Sequence, residues 1–277
     1  MANEPVAIVT GASSGIGAVS ASALHRAGFV VYAVARRVDR MSALAAEGIR
    51  TLGMDVTDES SATAGVARVL AERGRIDVLV NNAGYGSYGA FEEVAPEEAH
   101  RQFDVNVFGL ARLTQLVLPT MREQRGGTVI NVSSIGGRIA SPLGSWYHAS
   151  KFAVEGLSDA LRLELAPFGI RVVVIEPGVI ATEWDGIALE SAISTSAIGP
   201  YRRLVEVFAR SMHRMEARAS QPSVVAAAIV HAATARRPKT RYAIGSNAKP
   251  SMIGRRLLPD RAVDAVMRRA FGVPRWL

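Results

Sequence analysis

The chain has 277 residues, 49% hydrophobic and 21% charged, enough for one large α/β domain and incompatible with an intrinsically disordered polymer. It contains no cysteine, which excludes a disulfide scaffold, a thiolate metal site and a cysteine nucleophile. The net charge is +7, yet residues 236–277 hold 11 basic and 2 acidic side chains, so the positive excess belongs to the C-terminal tail.

In chain order, Val6–Thr10 reads as a buried strand, short, rich in branched residues and ended by glycine. Ile16, Val19, Ala23, Leu24 and Ala27 then recur at helical spacing, with Gly28 as a stop. Strands are expected at Phe29–Ala35, Ile49–Met54, Ile76–Asn81, Thr128–Val132, Arg171–Ile175 and Arg241–Ile244. Thr57 or Asp58 can cap a helix that runs to Arg73. Further helices are expected over residues 96–122, where Pro96 suits the first turn, and over 145–166 and 222–234. Buried strands alternating with helices predict one parallel sheet with helices on both faces. No linker or repeat divides the chain, so a single domain is expected over residues 1–277. The stretch 182–219 is long and rich in large apolar residues, among them Trp184, Ile187, Phe208 and Met212, and reads as a lid. The first strand starts too early for a signal peptide, and Glu176 interrupts the longest apolar run. A cytoplasmic location is therefore expected, with no membrane span.

The first strand runs into Thr10-Gly11-Ala12-Ser13-Ser14-Gly15-Ile16-Gly17, and a helix follows. Gly11 permits a tight turn, Gly15 lets backbone approach a bulky anion, and Gly17 lets the helix pack closely. Unpaired amides at the helix start, with the helix dipole behind them, then suit a phosphate. A merely structural small-residue turn is the alternative. The second strand ends in Arg36-Arg37, with no acid beside it to take a ribose hydroxyl. A guanidinium there favours a 2′-phosphate, so NADP(H) is expected over NAD(H), unless both arginines are simply solvated.

Ser134 follows the fifth strand, Tyr147 comes 13 residues later, and Lys151 lies four beyond that. Positions i and i+4 share a helix face, so an ammonium lies one turn from the phenol and favours its ionised form. Such a phenol can give and take a proton near neutral pH, and a serine hydroxyl can share charge on a substrate oxygen. The lysine stands out in a chain that writes its basic residues as 29 arginines and 3 lysines.

In these motifs, and in Asp55-Val56, Asn81-Asn82-Ala83-Gly84, Asn106-Val107-Phe108-Gly109 and Pro177-Gly178-Val179-Ile180-Ala181-Thr182, the chain resembles the short-chain dehydrogenase/reductase (SDR) family over about residues 5–250. The resemblance implies a Rossmann-type doubly wound sheet of about seven strands. It also implies hydride transfer at a nicotinamide coupled to proton transfer. Tyr147 would then be the general acid or base, and Ser134 would orient the substrate oxygen. Lys151 would hold the nicotinamide ribose, and Asn106, at a local helix kink, would hold a water that relays protons to Lys151. Gly11, Ser13, Ser14, Gly15, Ile16, Gly17, Ala83, Gly84, Pro177 and Gly178 would shape the cofactor site. Arg36, aided by Arg37, would meet the 2′-phosphate. Asp55 and Val56 would lie at the adenine, Asn82 at the adenosine ribose, and Ile180 and Thr182 at the carboxamide. The Thr182 hydroxyl is equally suited to capping the lid's first helix.

Tyr85, Tyr88 and Trp184 are candidates for the substrate wall, with loop packing the alternative for the two tyrosines. His148, one residue past Tyr147, suits a pocket or structural role better than acid–base chemistry. No histidine–carboxylate cluster has metal-ligand spacing, so no metal is expected. The tail Pro259–Phe271, within a basic extension over 251–277, reads as a basic amphipathic helix. It suits docking on its own domain, on a neighbouring subunit, over the pocket, or on an anionic membrane. The expected activity is an NADP(H)-dependent interconversion of a secondary alcohol and a ketone or aldehyde. The substrate is a bulky apolar one, as in the 17β-hydroxysteroid and retinol dehydrogenase-like branches that the chain resembles. A 3-oxoacyl-thioester reductase and a non-catalytic nucleotide-sensing or nucleic-acid-binding protein are the alternatives. Family members assemble through the two long helices, so a homodimer or homotetramer is expected, and no nucleic acid.

Overall fold

Branched, fully buried strands need cover on both faces, and the helices between them supply it. The computed structural model describes residues 4–273. Strand β1 (Val6–Thr10) leads through the glycine turn to α1 (Gly15–Arg26) and β2 (Val30–Ala35). A 3-10 turn (Val38–Met41), α2 (Ser42–Ala46), β3 (Arg50–Gly53), α3 (Glu59–Arg73) and β4 (Val78–Asn81) follow. Then come α4 (Pro96–Phe103), a π-helical turn (Asp104–Gly109), α5 (Leu110–Glu123) and β5 (Gly127–Val132). The second half runs through α6 (Ser145–Leu165), β6 (Ile170–Pro177), α7 (Trp184–Ser196), α8 (Arg202–Glu216) and α9 (Pro222–Thr234). It ends with β7 (Arg241–Ile244), α10 (Ala248–Leu257) and α11 (Asp260–Phe271).

Among the described residues the strands form one seven-stranded sheet in the order β3-β2-β1-β4-β5-β6-β7, every pair parallel. The order reverses between β1 and β4, which opens a crevice at the carboxyl ends of those strands. Leu24 of α1 and Val225 and Ile229 of α9 cover one face. Val66 and Val69 of α3 with Leu113 and Val117 of α5 cover the other. The register puts Asn81 opposite Asn131, and their buried side chains hydrogen-bond at 2.9 Å. Thr114 and Ser158 extend that bond to α5 and α6, tying both helices to the sheet below the crevice.

The helix expected over 96–122 is interrupted, because residues 104–109 form the π-helical turn that contains Asn106. The segment 182–219 is more regular than its weak pattern suggests, since it holds α7 and α8. These carry their own core, in which Val205 and Phe208 pack with Tyr88, Leu143 and Tyr147. Asp58 rather than Thr57 caps α3, its Oδ1 accepting from the Ser61 amide at 2.7 Å. Helix α10 is an addition to the expected elements. The tail helix is α11, and it folds back on α8 with Phe271 stacked on Phe208 at 5.8 Å. Of the expected basic extension, residues 274–277 lie outside the described residues.

Candidate active site

The glycine turn is built for backbone exposure. Gly11 and Gly15 have φ of +65° and +53°, a region that side chains disfavour. A Cβ on Gly17 would collide with the Gly11 carbonyl oxygen, so the third glycine packs the turn on itself before it packs on the sheet. The Thr10 hydroxyl accepts from the amides of Asn82 and Ala83 at 2.9 and 2.8 Å, and Asn82 Nδ2 donates to the Thr10 carbonyl at 2.9 Å. Asn82 was expected at a ribose; its amide is spent on bracing the turn, although the residue lines the same cavity. Helix α1 starts after Ser14 with no side-chain cap and no acid in its first turn. Its first amides and its dipole therefore face the cavity uncompensated.

Two guanidinium groups stand at the outer end of the crevice. Arg37 Nη2 donates to Ser13 Oγ at 3.3 Å, and Arg36 lies 4.0 Å from Asp55 with most of its side chain in solvent. Asp55 is itself held, accepting from the amide and hydroxyl of Thr57 at 2.9 and 2.7 Å.

From this end a cavity of about 820 Å³ runs to the catalytic candidates. Ser133, Ser134, Tyr147, His148 and Lys151 all line it. Ser134 Oγ accepts from the Gly136 amide at 2.9 Å, which leaves its hydroxyl proton to be given elsewhere. Tyr147 is buried on α6 among Tyr88 and Trp184, with ring centroids at 5.6 and 5.1 Å. One turn on, Lys151 is buried and donates to the Val132 carbonyl at 2.9 Å. Burial lowers its pKa to about 8, partly opposed by the Glu155 carboxylate.

Asn106 is the one catalytic candidate outside the cavity wall. Its side chain bridges the Tyr85 backbone, accepting from the amide at 3.1 Å and donating to the carbonyl at 3.0 Å. It also donates to Ser150 Oγ, which in turn donates to the Tyr147 carbonyl at 2.7 Å. Asn106 thus braces α6 beneath Tyr147 instead of presenting its amide to the cavity, and the π-helical turn brings it there. Ser150 was not anticipated, although its i+3 spacing from Tyr147 is a legible signal.

The substrate candidates divide. Tyr88 and Trp184 form an edge-to-face pair at 5.9 Å on the cavity wall, and Met212, Met215 and Phe271 extend that wall. Tyr85 also lines it, but its hydroxyl is turned to α4, where it donates to Glu98 at 3.0 Å. Burial pushes the Tyr85 phenol up to about 12, which removes it from acid–base work. Pro177, Gly178 and Ile180 line the cavity from the loop after β6. There the Thr182 hydroxyl accepts from the Trp184 amide at 3.3 Å, the helix-start role that was its alternative. His148 is structural: its Nδ1 meets the Gly136 carbonyl and its Nε2 accepts from the Ser141 amide, each at 2.9 Å. The ring thereby fixes the loop that carries Ser134.

Behind the site lies a charge cluster that the sequence reading missed. Glu155 and Glu176 are both buried. Arg241 reaches Glu155 at 3.0 Å and Glu176 at 3.6 Å, and Arg138 reaches them at 3.4 and 3.2 Å. Burial and the neighbouring Glu155 raise the Glu176 pKa. The cluster joins α6, β6, β7 and the Ser134 loop into one unit. The i+4 step from Lys151 to Glu155 was its one sequence signal.

The family model for short chain dehydrogenases matches residues 5–190. A 3-ketodihydrosphingosine reductase of Bacteroides thetaiotaomicron is 35% identical over 97% of this chain and 98% of its own. A crystal structure of a short-chain dehydrogenase from Streptomyces avermitilis superposes with a TM-score of 0.82 at 36% identity, covering 99% of this chain and 98% of that one. A 3-ketoacyl-(acyl-carrier-protein) reductase from Brucella melitensis, complexed with NADH, superposes with a TM-score of 0.70 at 29% identity, over 84% and 91% of the two chains.

Proposed function

The chain belongs to the short-chain dehydrogenase family, and from that membership we propose that it is an NADP(H)-dependent oxidoreductase interconverting a secondary alcohol and a ketone on a bulky, apolar substrate. One observation carries the reading. A single cavity joins an uncapped helix start, two arginines at its rim, a Ser134–Tyr147–Lys151 set and an aromatic wall.

The residues fit a phosphorylated dinucleotide. The first amides of α1 receive no side chain, Arg36 and Arg37 at the rim would meet a 2′-phosphate, and Lys151 has spent one N–H of its three on Val132. When bound, the dinucleotide supplies or accepts the hydride at its nicotinamide. In the reductive direction Tyr147 gives its phenolic proton to the oxygen of the ketone. The Ser134 hydroxyl, its acceptor side held by Gly136, donates to the same oxygen and shares its growing charge. The Lys151 ammonium, one turn away, stabilises the negative oxygen left on Tyr147. Asn106 and Ser150 keep that helical turn in place. Tyr88, Trp184 and Phe271 exclude water and favour an apolar body beside the reacting carbon. The name of the Bacteroides relative, a reductase of a keto compound, supports the ketone reading.

Phe108 at the π-helical turn and Phe152 and Leu163 on α6 are exposed apolar side chains on the two long helices. They suit burial against a second copy, so we assign these helices to a homo-oligomeric contact, which sedimentation of the purified chain checks. The activity is tested by fluorescence titration with NADPH and NADH, followed by a panel of ketones and aldehydes with the tighter cofactor. Tighter binding of NADPH and consumption of it by large apolar ketones are expected. Equal or tighter NADH binding removes the cofactor assignment, and no turnover across the panel removes the reaction.

A further inference from the structure

The corner where α10 passes into α11 carries a surface that the reaction does not use. This corner, Arg255-Arg256-Leu257-Leu258-Pro259-Asp260-Arg261, is exposed at every residue. Leu257 is 73% exposed, and Ile253, one turn earlier on the same side of α10, is 59% exposed. Six basic side chains, Lys249, Arg255, Arg256, Arg261, Arg268 and Arg269, belong to these two helices, against Asp260 and Asp264. Arg255 meets Asp260 at 2.9 Å, so five cations remain for one carboxylate.

The inner sides of the same helices close the cavity, through Ser251 on α10 and Val266, Met267 and Phe271 on α11. Val266 on α11 and Ile187 on α7 both line the cavity while being 54% and 44% exposed, so its mouth has an apolar rim. Single exposed leucines are ordinary on a protein surface. Here three large apolar side chains fall within six residues of an exposed corner, flanked by arginines and attached to the lip of an apolar cavity.

We propose that the exposed corner between α10 and α11 docks on an anionic lipid surface and turns the mouth of the cavity toward it. Leucines at the corner enter the boundary between headgroups and acyl chains, while the arginines keep their stems apolar and their heads on phosphate. Charge selects this occupant over a second copy of the chain, because two such corners would set like charges against each other. The contact is peripheral, since no helix among the described residues is long and apolar enough to cross a membrane. It stands apart from the redox reading, because vesicle binding is read without turnover.

The test is co-sedimentation of the full chain with vesicles of phosphatidylcholine alone or mixed with phosphatidylglycerol. Binding to the mixed vesicles is expected to be at least about tenfold tighter and to weaken with salt. Leu257→Asp with Leu258→Asp lowers it at least about tenfold, and Arg255→Glu with Arg256→Glu removes the preference for anionic lipid. All four positions are exposed, and NADPH titration of each variant reports an intact fold. Equal binding to both vesicle types, binding to neither, or undiminished binding by the leucine variant overturns the proposal. If the leucine variant instead dissociates a dimer in light scattering and leaves vesicle binding unchanged, the surface belongs to a second copy.

Discussion

Lys151 and Glu155 lie one turn apart on the same side of α6, both buried and of opposite charge. Burial holds the lysine near a pKa of about 8, and the carboxylate acts against that lowering. The lysine's useful form is the ammonium, so the rate is sustained below its pKa and falls above it. Plots of kcat/KM against pH for the unmodified chain are therefore expected to fall off on the alkaline side near pH 8. Glu155→Gln removes the upward pull, so the alkaline limb moves to lower pH. The same change leaves Arg138 and Arg241 with Glu176 as their remaining buried partner, so the folded variant is expected to lose stability without unfolding. An unmoved alkaline limb in a folded variant disconnects the pair from the reaction.

Arg36→Asp replaces the guanidinium expected at the 2′-phosphate with a like charge. Charge-assisted hydrogen bonds contribute about 1.5–3 kcal/mol, so NADPH affinity is expected to fall roughly ten- to a hundredfold, with NADH binding equally or better. Arg37, already bonded to Ser13, retains part of the phosphate affinity. Fluorescence titration of both cofactors checks this, and an unchanged preference means that the 2′-phosphate is held elsewhere.

His148 is kept neutral by burial, which lowers its pKa, while Nε2 accepts from the Ser141 amide. For a group whose folded pKa is lowered in this way, the neutral form's stabilisation is present above the ordinary value of 6.5 and is lost as pH falls through the lowered one. Protonation also turns Nε2 into a donor facing another donor. Thermal unfolding followed from neutral to mildly acid pH is expected to show a falling Tm in the unmodified chain. His148→Gln is expected to have a lower Tm at neutral pH and a shallower acid slope. Identical slopes assign the acid sensitivity to other groups.

Strands and most helices were legible because burial on both faces writes branched runs, as in Val6–Thr10, and because glycine and proline punctuate them. The π-helical turn was not legible as an element, since residues 104–109 keep helical composition; only the motif around Asn106 hinted at a kink. The glycine turn, Ser134, Tyr147 and Lys151 were named from their spacing together with the family resemblance, and the structure brings them to one cavity. What joins distant segments could not be read in this way. Arg138, Glu155, Glu176 and Arg241 meet only because β6, β7 and α6 are neighbours in the sheet order. The inward role of Asn82 and the outward turn of the Tyr85 hydroxyl depend on partners 72 and 13 residues away.

The central claim is that the Tyr147 phenol supplies the proton, and Tyr147→Phe tests it most directly. Single-turnover oxidation of NADPH by a reactive ketone, followed by absorbance, measures the step, and fluorescence titration measures cofactor binding on the same sample. The account predicts unchanged NADPH affinity with a rate lowered by roughly two to four orders of magnitude. A phenylalanine variant that turns over at the original rate would contradict it.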